Sequence, residues 1–496
     1  MSDFDTFKGI QKKMKAYQTV LSIASWDSNT EAPKDCFPYR SDMLSIISGE
    51  HFSLTTSKEY KQAINSLLAQ SEDLNDNQKR EVEKAKKGLD KIDKIPKGEY
   101  IEYNKMRTMA QRVWEDAKEN DDFEAFKPYL EKIINYQKKM VAYRSDTDVP
   151  YNVLLDDFEE GMNMEKYDEF FDLIKEELVP FVQEILEAKE KENDDFISRN
   201  YPKETQKEFV EYLLDVFDYN LDRGGLKESV HPFTWNTHSK DVRLTVRYLE
   251  NFVFSSIFAG IHELGHALYE QQIDEVFDMT NLGNGASMGI HESQSRFYEN
   301  VIGRSKEFWN VHFTKLKSLF PEQLKDVNVE AFYRGINRVE ESFIRVEADE
   351  LTYPLHILIR YEIERSIFNE GTNVDELPDM WNQKMKQYLN IDVDKPSNGI
   401  LQDVHWSGGM FGYFPTYALG SAYAAQIYYT IKEEIDFESL IEEDKIHKIN
   451  EWLKEKIHCF GSSLKPEQIL KNVTGEAFNP KYYIRYLKEK YSDLYL

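Results

Sequence analysis

One short stretch of the sequence carries residues that could hold a metal ion. It reads FAGIHELGHALYE over residues 258–270 and contains the pattern H-E-x-x-H in His262, Glu263 and His266. Two histidines four residues apart lie on one face of a helix, so both imidazoles can reach a single ion. The Glu263 carboxylate would stand beside that ion, where it could take a proton from water. Two core histidines satisfied by hydrogen bonds, without any metal, are the competing interpretation.

A catalytic zinc site needs a third protein ligand and an open coordination position. The common continuation H-x-x-G-x-x-H does not supply that ligand, because Tyr269 and Gln272 stand where Gly and His would be. We therefore expect a carboxylate from a later segment. The candidates are Glu270, Asp274, Glu292 and Glu299.

Among these carboxylates, Glu292 has the most suitable position. It lies 26 residues after His266, which leaves room for a loop rich in Asn and Gly and for a returning helix. The alternative is a surface helix on which Glu292, Arg296 and Glu299 form a ladder of ion pairs. The neighbouring His291 could stand behind the metal ligands, and the sequence leaves its role open.

The segments around these residues read mostly as helices. Apolar residues recur at three- and four-residue spacing over residues 5–143 and again over 164–217. We expect the second region to end at the glycines of LDRGGL, residues 221–226, which can adopt left-handed backbone angles. The segment around H-E-x-x-H is apolar over much of its circumference, which predicts a buried helix.

A short strand is predicted before that helix. From Asp241 to Arg247 apolar and polar residues alternate, so Val242, Leu244 and Val246 would share the buried face. The polar face would either line a cleft beside the metal helix or lie at a sheet edge, where charges discourage aggregation. The pattern alone favours neither position.

The charge and cysteine content exclude several classes of protein. The chain has 496 residues and a formal net charge of −27, from 89 Asp plus Glu against 62 Lys plus Arg. Such a surface repels phosphate backbones and anionic membranes, so nucleic acid is not an expected partner. Two cysteines, Cys36 and Cys459, exclude a disulfide framework and a cysteine zinc site. The N-terminal stretch lacks a signal-peptide core, and we expect a cytoplasmic protein.

One uncharged stretch is long enough to cross a bilayer. It covers residues 406–431. Four glycines and Pro415 interrupt it, and it is rich in Tyr. A glycine-rich turn followed by a buried helix is the favoured interpretation, so we expect no membrane anchor.

Together these motifs resemble the metallocarboxypeptidases of the Thermus aquaticus carboxypeptidase type, peptidase family M32. That family pairs H-E-x-x-H with a downstream H-E-S-[QG], which is similar to residues 291–294 here. Four further signatures occur in the expected order: H-P-F at 231–233, D-x-R-x-T at 241–245, [IV]-R-x-x-A-D at 344–349 and G-x-x-Q-D-x-H-W at 399–406. Residues 25–33 resemble the family's N-terminal signature in a looser form, and residues 457–463 and 474–487 resemble its C-terminal end, so the resemblance covers most of the chain.

The resemblance implies a mainly α fold of the neurolysin and angiotensin-converting-enzyme type, with zinc at the floor of a deep central groove. We expect a small β element next to the zinc helix. A single domain would cover residues 1–496, with 1–225 forming one groove wall and 226–496 the zinc-binding catalytic part. Such enzymes are typically homodimers that remove single residues from the free C-terminus of peptides with broad preference. Cobalt can replace zinc in some members.

The resemblance also implies roles for charged residues. Arg345, in the [IV]-R-x-x-A-D signature, is the first candidate for binding the substrate's C-terminal carboxylate. Arg243 is the second candidate, with Asp241 orienting it. Without the family signature, Arg345 would read as part of a helical ion ladder with Glu341 and Asp349.

Residues of the last signature and of the glycine-rich stretch after it would complete the site. Gln402 is a further substrate-binding candidate. By analogy with angiotensin-converting enzyme, His405 and Tyr417 would stabilise the oxyanion of the reaction. Tyr413 is close enough in sequence to be confused with Tyr417. For each tyrosine, a core position with a satisfied hydroxyl is the alternative.

Two other functions compete with a carboxypeptidase. An oligoendopeptidase or dipeptidyl-carboxypeptidase could use the same scaffold, but oligopeptidases of the thimet type usually carry a His where Tyr269 stands. A non-catalytic peptide-binding protein would have lost part of the motif set. All catalytic positions of the H-E-x-x-H and H-E-S-[QG] motifs are intact, so we favour the enzyme.

Overall fold

The computed structural model describes residues 2–145, 147–189 and 195–496. About 70% of the chain is helical, which confirms the predicted mainly α fold. The helices of the first half are α1 (Asp3–Thr30), α2 (Phe37–Thr55), α3 (Lys58–Ala69), α4 (Asp76–Asp90), α5 (Lys97–Glu119), α6 (Phe123–Arg144), α7 (Pro150–Phe158), α8 (Met164–Ala188) and α9 (Lys203–Val216). The helices of the second half are α10 (Val253–Gln271), α11 (Met288–Arg296), α12 (Lys306–Leu319), α13 (Val329–Ile336), α14 (Tyr353–Arg365), α15 (Leu377–Leu389), α16 (Pro415–Glu434), α17 (Phe437–Glu442), α18 (Ile446–Lys456), α19 (Pro466–Thr474) and α20 (Lys481–Tyr495).

A three-stranded sheet precedes α10. Its strands are β1 (Gly224–Glu228), β2 (Thr234–His238) and β3 (Asp241–Val246). β3 is the central strand, parallel to β1 and antiparallel to β2, so the edge-strand interpretation of β3 is wrong. Val242, Leu244 and Val246 are fully buried, as the alternation predicted. β3 packs against α10, so the sheet supports the metal-motif helix.

The glycines of LDRGGL do not end a helix. α9 ends at Val216, and the left-handed residue that follows is Asp218, with φ of 58°. Gly224 is extended, with φ of −157°, and it begins β1. A Cβ on Gly224 would collide with the Tyr219 hydroxyl, so this glycine permits a close approach rather than a left-handed turn.

The uncharged stretch folds as predicted. Turns at Gly409 and Gly412, which both have positive φ, lead into α16, and α16 is buried over most of its length. Within the described part of the chain, no helix combines the length and the apolar character needed to cross a membrane.

The buried apolar residues form two separate clusters. The small cluster belongs to α1, α3 and α4 and consists of Phe7, Ile10, Met14, Tyr60, Ala63, Ile64, Leu67, Val82, Ala85 and Leu89. The large cluster begins at Tyr103 and continues to Leu494. We call α1–α4 the small module. The boundary between the two cores therefore lies between α4 and α5, and the large core spans residue 225.

Contacts between the small module and the rest of the molecule are polar and aromatic, and the aromatic contacts include those of Trp26 in α1 with Phe233 and Trp235. Lys8 Nζ donates to the carbonyl of Met279 at 3.3 Å, and Lys84 Nζ donates to Ser462 Oγ at 2.5 Å. In the other direction, Asn281 Nδ2 donates to the carbonyl of Glu81 at 2.9 Å. The module is thus fastened to the loops after α10 and α18 by individual hydrogen bonds.

Candidate metal centre and active site

The two His-Glu pairs meet where α10 and α11 cross. His262 and His266 lie on α10, and Glu292 lies on the returning helix α11. Oε2 of Glu292 is 3.7 Å from Nε2 of His262 and 3.5 Å from Nε2 of His266. Among the described residues, these three form the one cluster with the geometry of a metal site.

The three side chains fit a divalent transition metal. Zinc takes nitrogen and carboxylate ligands at about 2.0–2.2 Å in a tetrahedron, which places neighbouring ligand atoms roughly 3.4 Å apart. Burial would raise the pKa of Glu292, but Arg296 and the two histidines hold it well below its ordinary value, so the carboxylate is ionised. Burial lowers the pKa of His266 to about 3, which keeps this imidazole neutral, as a ligand must be.

Two glycines allow Glu292 to reach this position. A Cβ on Gly265 of α10 would lie 2.7 Å from the Cα of Ser295, and a Cβ on Gly420 of α16 would lie 2.5 Å from the Cβ of Glu292. Such distances are impossible for real side chains, so α10, α11 and α16 pack this closely only because both positions are glycine. α11 is held between the two neighbouring helices, with Glu292 directed at the histidines.

His262 is oriented by Glu299. Nδ1 of His262 lies 2.9 Å from Oε2 of Glu299, which belongs to a π-helical turn (Phe297–Ile302) directly after α11. Arg296 donates to Glu292 at 2.8 Å and to Glu299 at 3.3 Å. The ion ladder therefore exists, but Glu292 and Glu299 are 7% and 8% exposed, so the surface-helix interpretation is wrong. Glu299 supports a histidine and does not compete with Glu292 in this geometry.

His266 is supported by a second histidine. Its Nδ1 lies 2.6 Å from Nδ1 of His291, and Nε2 of His291 lies 2.9 Å from Oε1 of Glu270. If Nε2 of His266 offers its lone pair to an ion, its Nδ1–H donates to His291, and His291 Nε2–H donates to Glu270. Glu270 also accepts from Asn236 Nδ2 at 2.6 Å. Asp274 instead caps a turn by accepting from the amide of Val276.

Glu263 lies beside the ligand cluster and is 8% exposed. Its Oε2 accepts a hydrogen bond of 2.8 Å from Oγ1 of Thr234 in β2, which fixes the carboxylate from one side. Burial raises the pKa of Glu263, although His262 and the Thr234 hydroxyl act in the opposite direction. A raised pKa suits a carboxylate that takes and returns a proton near neutral pH.

His405, Tyr413 and Tyr417 form one cluster. Nε2 of His405 lies 3.2 Å from the Tyr417 hydroxyl, and the Tyr413 and Tyr417 rings pack edge to face with centroids 5.1 Å apart. Burial lowers the pKa of His405 to about 4, so the imidazole is neutral near pH 7. Burial also raises the pKa of Tyr417, although Arg345 opposes this, so the hydroxyl keeps its proton.

Arg345 does not lie on an α-helix. It begins a short 3₁₀ turn (Arg345–Glu347), so the helical ion ladder with Glu341 and Asp349 is wrong. Asp349 instead accepts from the amides of Leu351 and Thr352. The sequence pattern predicted the wrong ion pairs because residues four apart are neighbours only inside an α-helix.

Arg345 belongs to a buried charged cluster next to the two tyrosines. Its Nε and Nη2 donate to Oδ1 of Asp403 at 3.0 and 2.9 Å, and Nη1 donates to the Tyr353 hydroxyl at 3.0 Å. Arg360, which is fully buried, binds the other oxygen of Asp403. The guanidinium carbon of Arg345 lies 5.0 Å from the centre of the Tyr417 ring. Two guanidinium groups thus share one carboxylate, which leaves one positive charge in excess.

Gln402 holds this cluster together. Its Oε1 accepts from the Arg345 amide at 3.0 Å and from Arg360 Nη2 at 2.7 Å. Its Nε2 donates to the carbonyls of Phe343 and Asn398. The amide is therefore fully used within the protein.

Arg243 and Asp241 lie on the sheet face opposite α10. Asp241 accepts from Nε and Nη2 of Arg243, and the guanidinium packs 4.8 Å from the ring of Trp235 and 5.5 Å from the ring of Trp26. Thr234, the residue before Trp235, contacts Glu263 on the other face. The structure therefore brings Arg243 against α1 and not against the histidines.

Sequence reasoning missed several residues around the site. Asp403 lies inside the G-x-x-Q-D-x-H-W signature, so that motif contained a signal for it. Thr234 directly follows H-P-F and could have been found by its position. Tyr353 and Arg360 belong to none of the motifs, and only their contacts reveal them.

Comparison with known proteins identifies a family. Residues 6–491 match the model of the carboxypeptidase Taq (M32) metallopeptidases. Carboxypeptidase 1 of Bacillus subtilis is 45% identical over 491 residues, which cover 99% of this chain and 98% of that protein.

Solved structures give the same result. The Pyrococcus furiosus carboxypeptidase structure has a TM-score of 0.96 and 36% identity, and the match covers 99% of both chains. Metallocarboxypeptidase 1 of Trypanosoma cruzi has a TM-score of 0.94 and 32% identity, again over 99% of both chains.

Proposed function

Because the chain belongs to the carboxypeptidase Taq (M32) family of metallopeptidases, we propose that it is a zinc-dependent enzyme that releases single C-terminal residues from peptides with broad specificity. The convergence of His262, His266 and Glu292 beside Glu263 carries this proposal. Two histidines and one carboxylate form a ligand set typical of catalytic zinc. Three protein ligands leave one coordination position open for water or substrate. Cobalt accepts the same donor types and would substitute.

The ion and Glu263 divide the chemistry between them. When bound, the ion supplies Lewis acidity, which polarises the scissile carbonyl and acidifies the attacking water. Glu263 takes the proton from that water and delivers it to the leaving amine. The Thr234 hydroxyl keeps one oxygen of Glu263 in a fixed direction during both transfers.

Tyr417 and His405 would stabilise the negative charge that develops on the carbonyl oxygen. A neutral His405 can donate from Nε2 to the Tyr417 hydroxyl, which frees the phenolic proton for the substrate oxygen. Tyr413 packs against Tyr417 and is the alternative donor.

Recognition of a free C-terminus is assigned to Arg345 in this proposal. The cluster of Arg345, Arg360 and Asp403 has one excess positive charge in a buried setting, and a substrate carboxylate would neutralise it. Gln402 would act indirectly, by holding the two arginines. Any contact of Arg243 and Asp241 with the peptide would be far from the scissile bond, because both lie on the sheet face opposite α10 and Arg243 packs against Trp26 and Trp235.

A time course by mass spectrometry tests the proposal. The purified protein is incubated with an unmodified peptide of mixed sequence, with its C-terminally amidated twin and with a chelator control. We expect a ladder of single-residue losses from the free C-terminus, no loss from the amide, and recovery by zinc or cobalt after chelation.

Other outcomes favour the rival functions. Internal cuts in both peptides would indicate an oligoendopeptidase, and release of dipeptides would indicate a dipeptidyl-carboxypeptidase. Metal-dependent peptide binding without cleavage would indicate a binding protein.

The homodimer and the cytoplasmic location stay predictions that rest on the family resemblance and on the cysteine content. Analytical ultracentrifugation of the metal-loaded protein would test whether it is a homodimer.

A further inference from the structure

A buried carboxylate from the first half of the chain caps the helix that carries Glu292. Glu159 directly follows α7 and is fully buried. Its Oε2 accepts from the amide of Gly289 at 2.7 Å, and its Oε1 accepts from Ser287 Oγ at 2.9 Å. Ser287 is the N-cap residue of α11 and Gly289 belongs to its first turn, where a negative charge complements the helix dipole. Glu292 lies only three residues beyond Gly289.

The other end of α7 holds the loop that carries His405. The Tyr151 hydroxyl donates to Oε2 of Glu364 at 2.7 Å. Glu364 also accepts from the amide of Gly412 and from Nε1 of Trp406, each at 2.7 Å. Trp406 is adjacent to His405 in the chain, and Gly412 precedes Tyr413. One carboxylate therefore joins α7, α14 and both ends of this loop.

α7 also touches the loop directly. A Cβ on Gly412 would lie 2.6 Å from the carbonyl oxygen of Leu154, so the loop backbone lies against α7 at a position with φ of 87°. The rings of Phe158 and Tyr413 pack edge to face with centroids 5.1 Å apart. α7 therefore contacts the tyrosine cluster directly, through Phe158.

We propose that α7 and Glu159 form a bracket that sets the position of Glu292 relative to Tyr413 and Tyr417, with Glu159 and Tyr151 as its two positioning residues. The inference rests on the proposed function, because it concerns how metal ligand and oxyanion donors are held together. Misplacement of reacting groups by about 1 Å can slow a reaction on the order of a hundredfold. A rigid connection between α11 and the loop therefore has a catalytic purpose.

The surroundings of the Glu159 and Glu364 carboxylates indicate that they position other groups and do not mainly stabilise the fold. Burial raises the pKa of Glu159 and of Glu364 to about 7, although hydrogen-bond donors oppose this shift at both carboxylates and the Arg360 charge also opposes it at Glu364. Neither carboxylate forms a salt bridge with another described residue. Each carboxylate instead meets hydroxyl, amide or indole donors from different segments. A buried carboxylate without a cation is destabilising by itself, but it can fix several donors at one point.

The bracket predicts different effects at its two ends. Glu159→Gln places an amide NH₂ where an acceptor is needed, so α11 loosens and Glu292 holds the metal less firmly. We expect zinc release to a chelator to become faster on the order of tenfold, together with a lower kcat. Tyr151→Phe acts on the loop alone, so kcat should fall on the order of tenfold while KM and the zinc-release rate stay at wild-type values.

Tyr167→Phe is the matched control. Tyr167 is also fully buried, and its hydroxyl has no hydrogen-bond partner among the described residues. The same change of one hydroxyl should therefore leave kcat, KM and zinc release unchanged. Circular dichroism verifies the fold of each variant. If Glu159→Gln does not fold, Gly289→Ala tests the same end, since its Cβ would lie 2.8 Å from Oε2 of Glu159.

Two results would overturn the bracket. One is a kcat for Tyr151→Phe equal to that of Tyr167→Phe, and the other is wild-type zinc release after a change at the Glu159 end. Zinc release is measured without substrate. Should the wild type produce no C-terminal ladder, the proposed function would fail, while the release rates would still decide whether Glu159 positions Glu292.

Discussion

At the scale of single residues, the two histidine ligands differ in what stands behind them. A carboxylate, Glu299, contacts Nδ1 of His262 directly. Behind His266 stands the imidazole of His291, and only then a carboxylate, Glu270. The orientation of His266 therefore depends on an acceptor nitrogen in the neighbouring ring.

Removal of that acceptor should weaken metal binding. We expect His291→Leu to speed zinc release by about ten- to a hundredfold, because the Nδ1–H of His266 loses its partner. His291→Asn keeps an acceptor near the same place and should release zinc at a rate closer to wild type. Chelator competition measures both rates. Equal rates for the two variants would show that the ring serves only to fill space.

The role of Glu263 leads to a separate expectation. Glu263→Gln keeps the size and the Thr234 hydrogen bond of the side chain but cannot take a proton from water. Zinc content and thermal midpoint should match the wild type, while turnover falls by about a thousandfold or more. Activity above about a tenth of wild type would contradict the assigned role.

The sequence predicted these residues unevenly, for a physical reason. His262, Glu263 and His266 are recognisable because one helical turn places them together, so local spacing carries the information. The contacts of His291 with His266, and of Asp403 with Arg360, depend on how separate helices pack. Local patterns do not encode that packing. The place of His291 beside Glu292 suggested a supporting role but left it open, and only the family signature drew attention to Arg345 and the Asp403 segment.

At the scale of elements, the site depends on the close packing of α10, α11 and α16. Gly265 and Gly420 stand at the two contacts. A methyl group at either place has no space, because a helix backbone cannot move independently of its packed neighbours.

A comparison within α10 tests this dependence. Gly265→Ala should destabilise the protein by about 1–3 kcal/mol and speed metal release, since its Cβ meets the backbone of Ser295. Gly260→Ala is the control, because its Cβ would find only ordinary contacts, the nearest at 3.5 Å. It should be neutral or stabilising by up to about 1 kcal/mol. Urea unfolding followed by circular dichroism gives both values.

Element types were easier to predict than element neighbours. The alternation of β3 and the apolar circumference of α10 follow from burial, which acts on each residue in turn. The central place of β3 follows from its pairing with β1 and β2, which a single strand does not reveal. Gly224 is a second example of a contact that the sequence does not reveal. A glycine is required there because the Tyr219 side chain lies against it, and not because of its own backbone angle.

At the scale of the whole molecule, the chain has two cores of unequal size. The small module is built around ten buried residues and is attached to the rest by individual hydrogen bonds and by the packing of Trp26 on the sheet. A unit with its own small core can unfold locally without disturbing a larger one.

Ile64→Ala should reveal this independence. Ile64 is fully buried in the small core, and its truncation costs about 2–5 kcal/mol there. Amide exchange should accelerate in α1, α3 and α4 and stay at wild-type rates in α10 and α11. Ile174→Ala, a change of the same size in the large core, should instead accelerate exchange in α10 and α11. Uniform acceleration by Ile64→Ala would mean that the two cores unfold as one.

The fluorescence of Trp26 reports whether the small module is packed against the sheet. It belongs to α1, yet its ring lies 5.6 Å from those of Phe233 and Trp235, and the Arg243 guanidinium lies beside both indoles. Two indoles at this separation exchange excitation energy, and a neighbouring cation alters their emission. Any departure of α1 from the sheet would expose Trp26 to water and shift its fluorescence to longer wavelength. The emission wavelength of the native protein can therefore be used to follow dissociation of α1 from the sheet, without an added label.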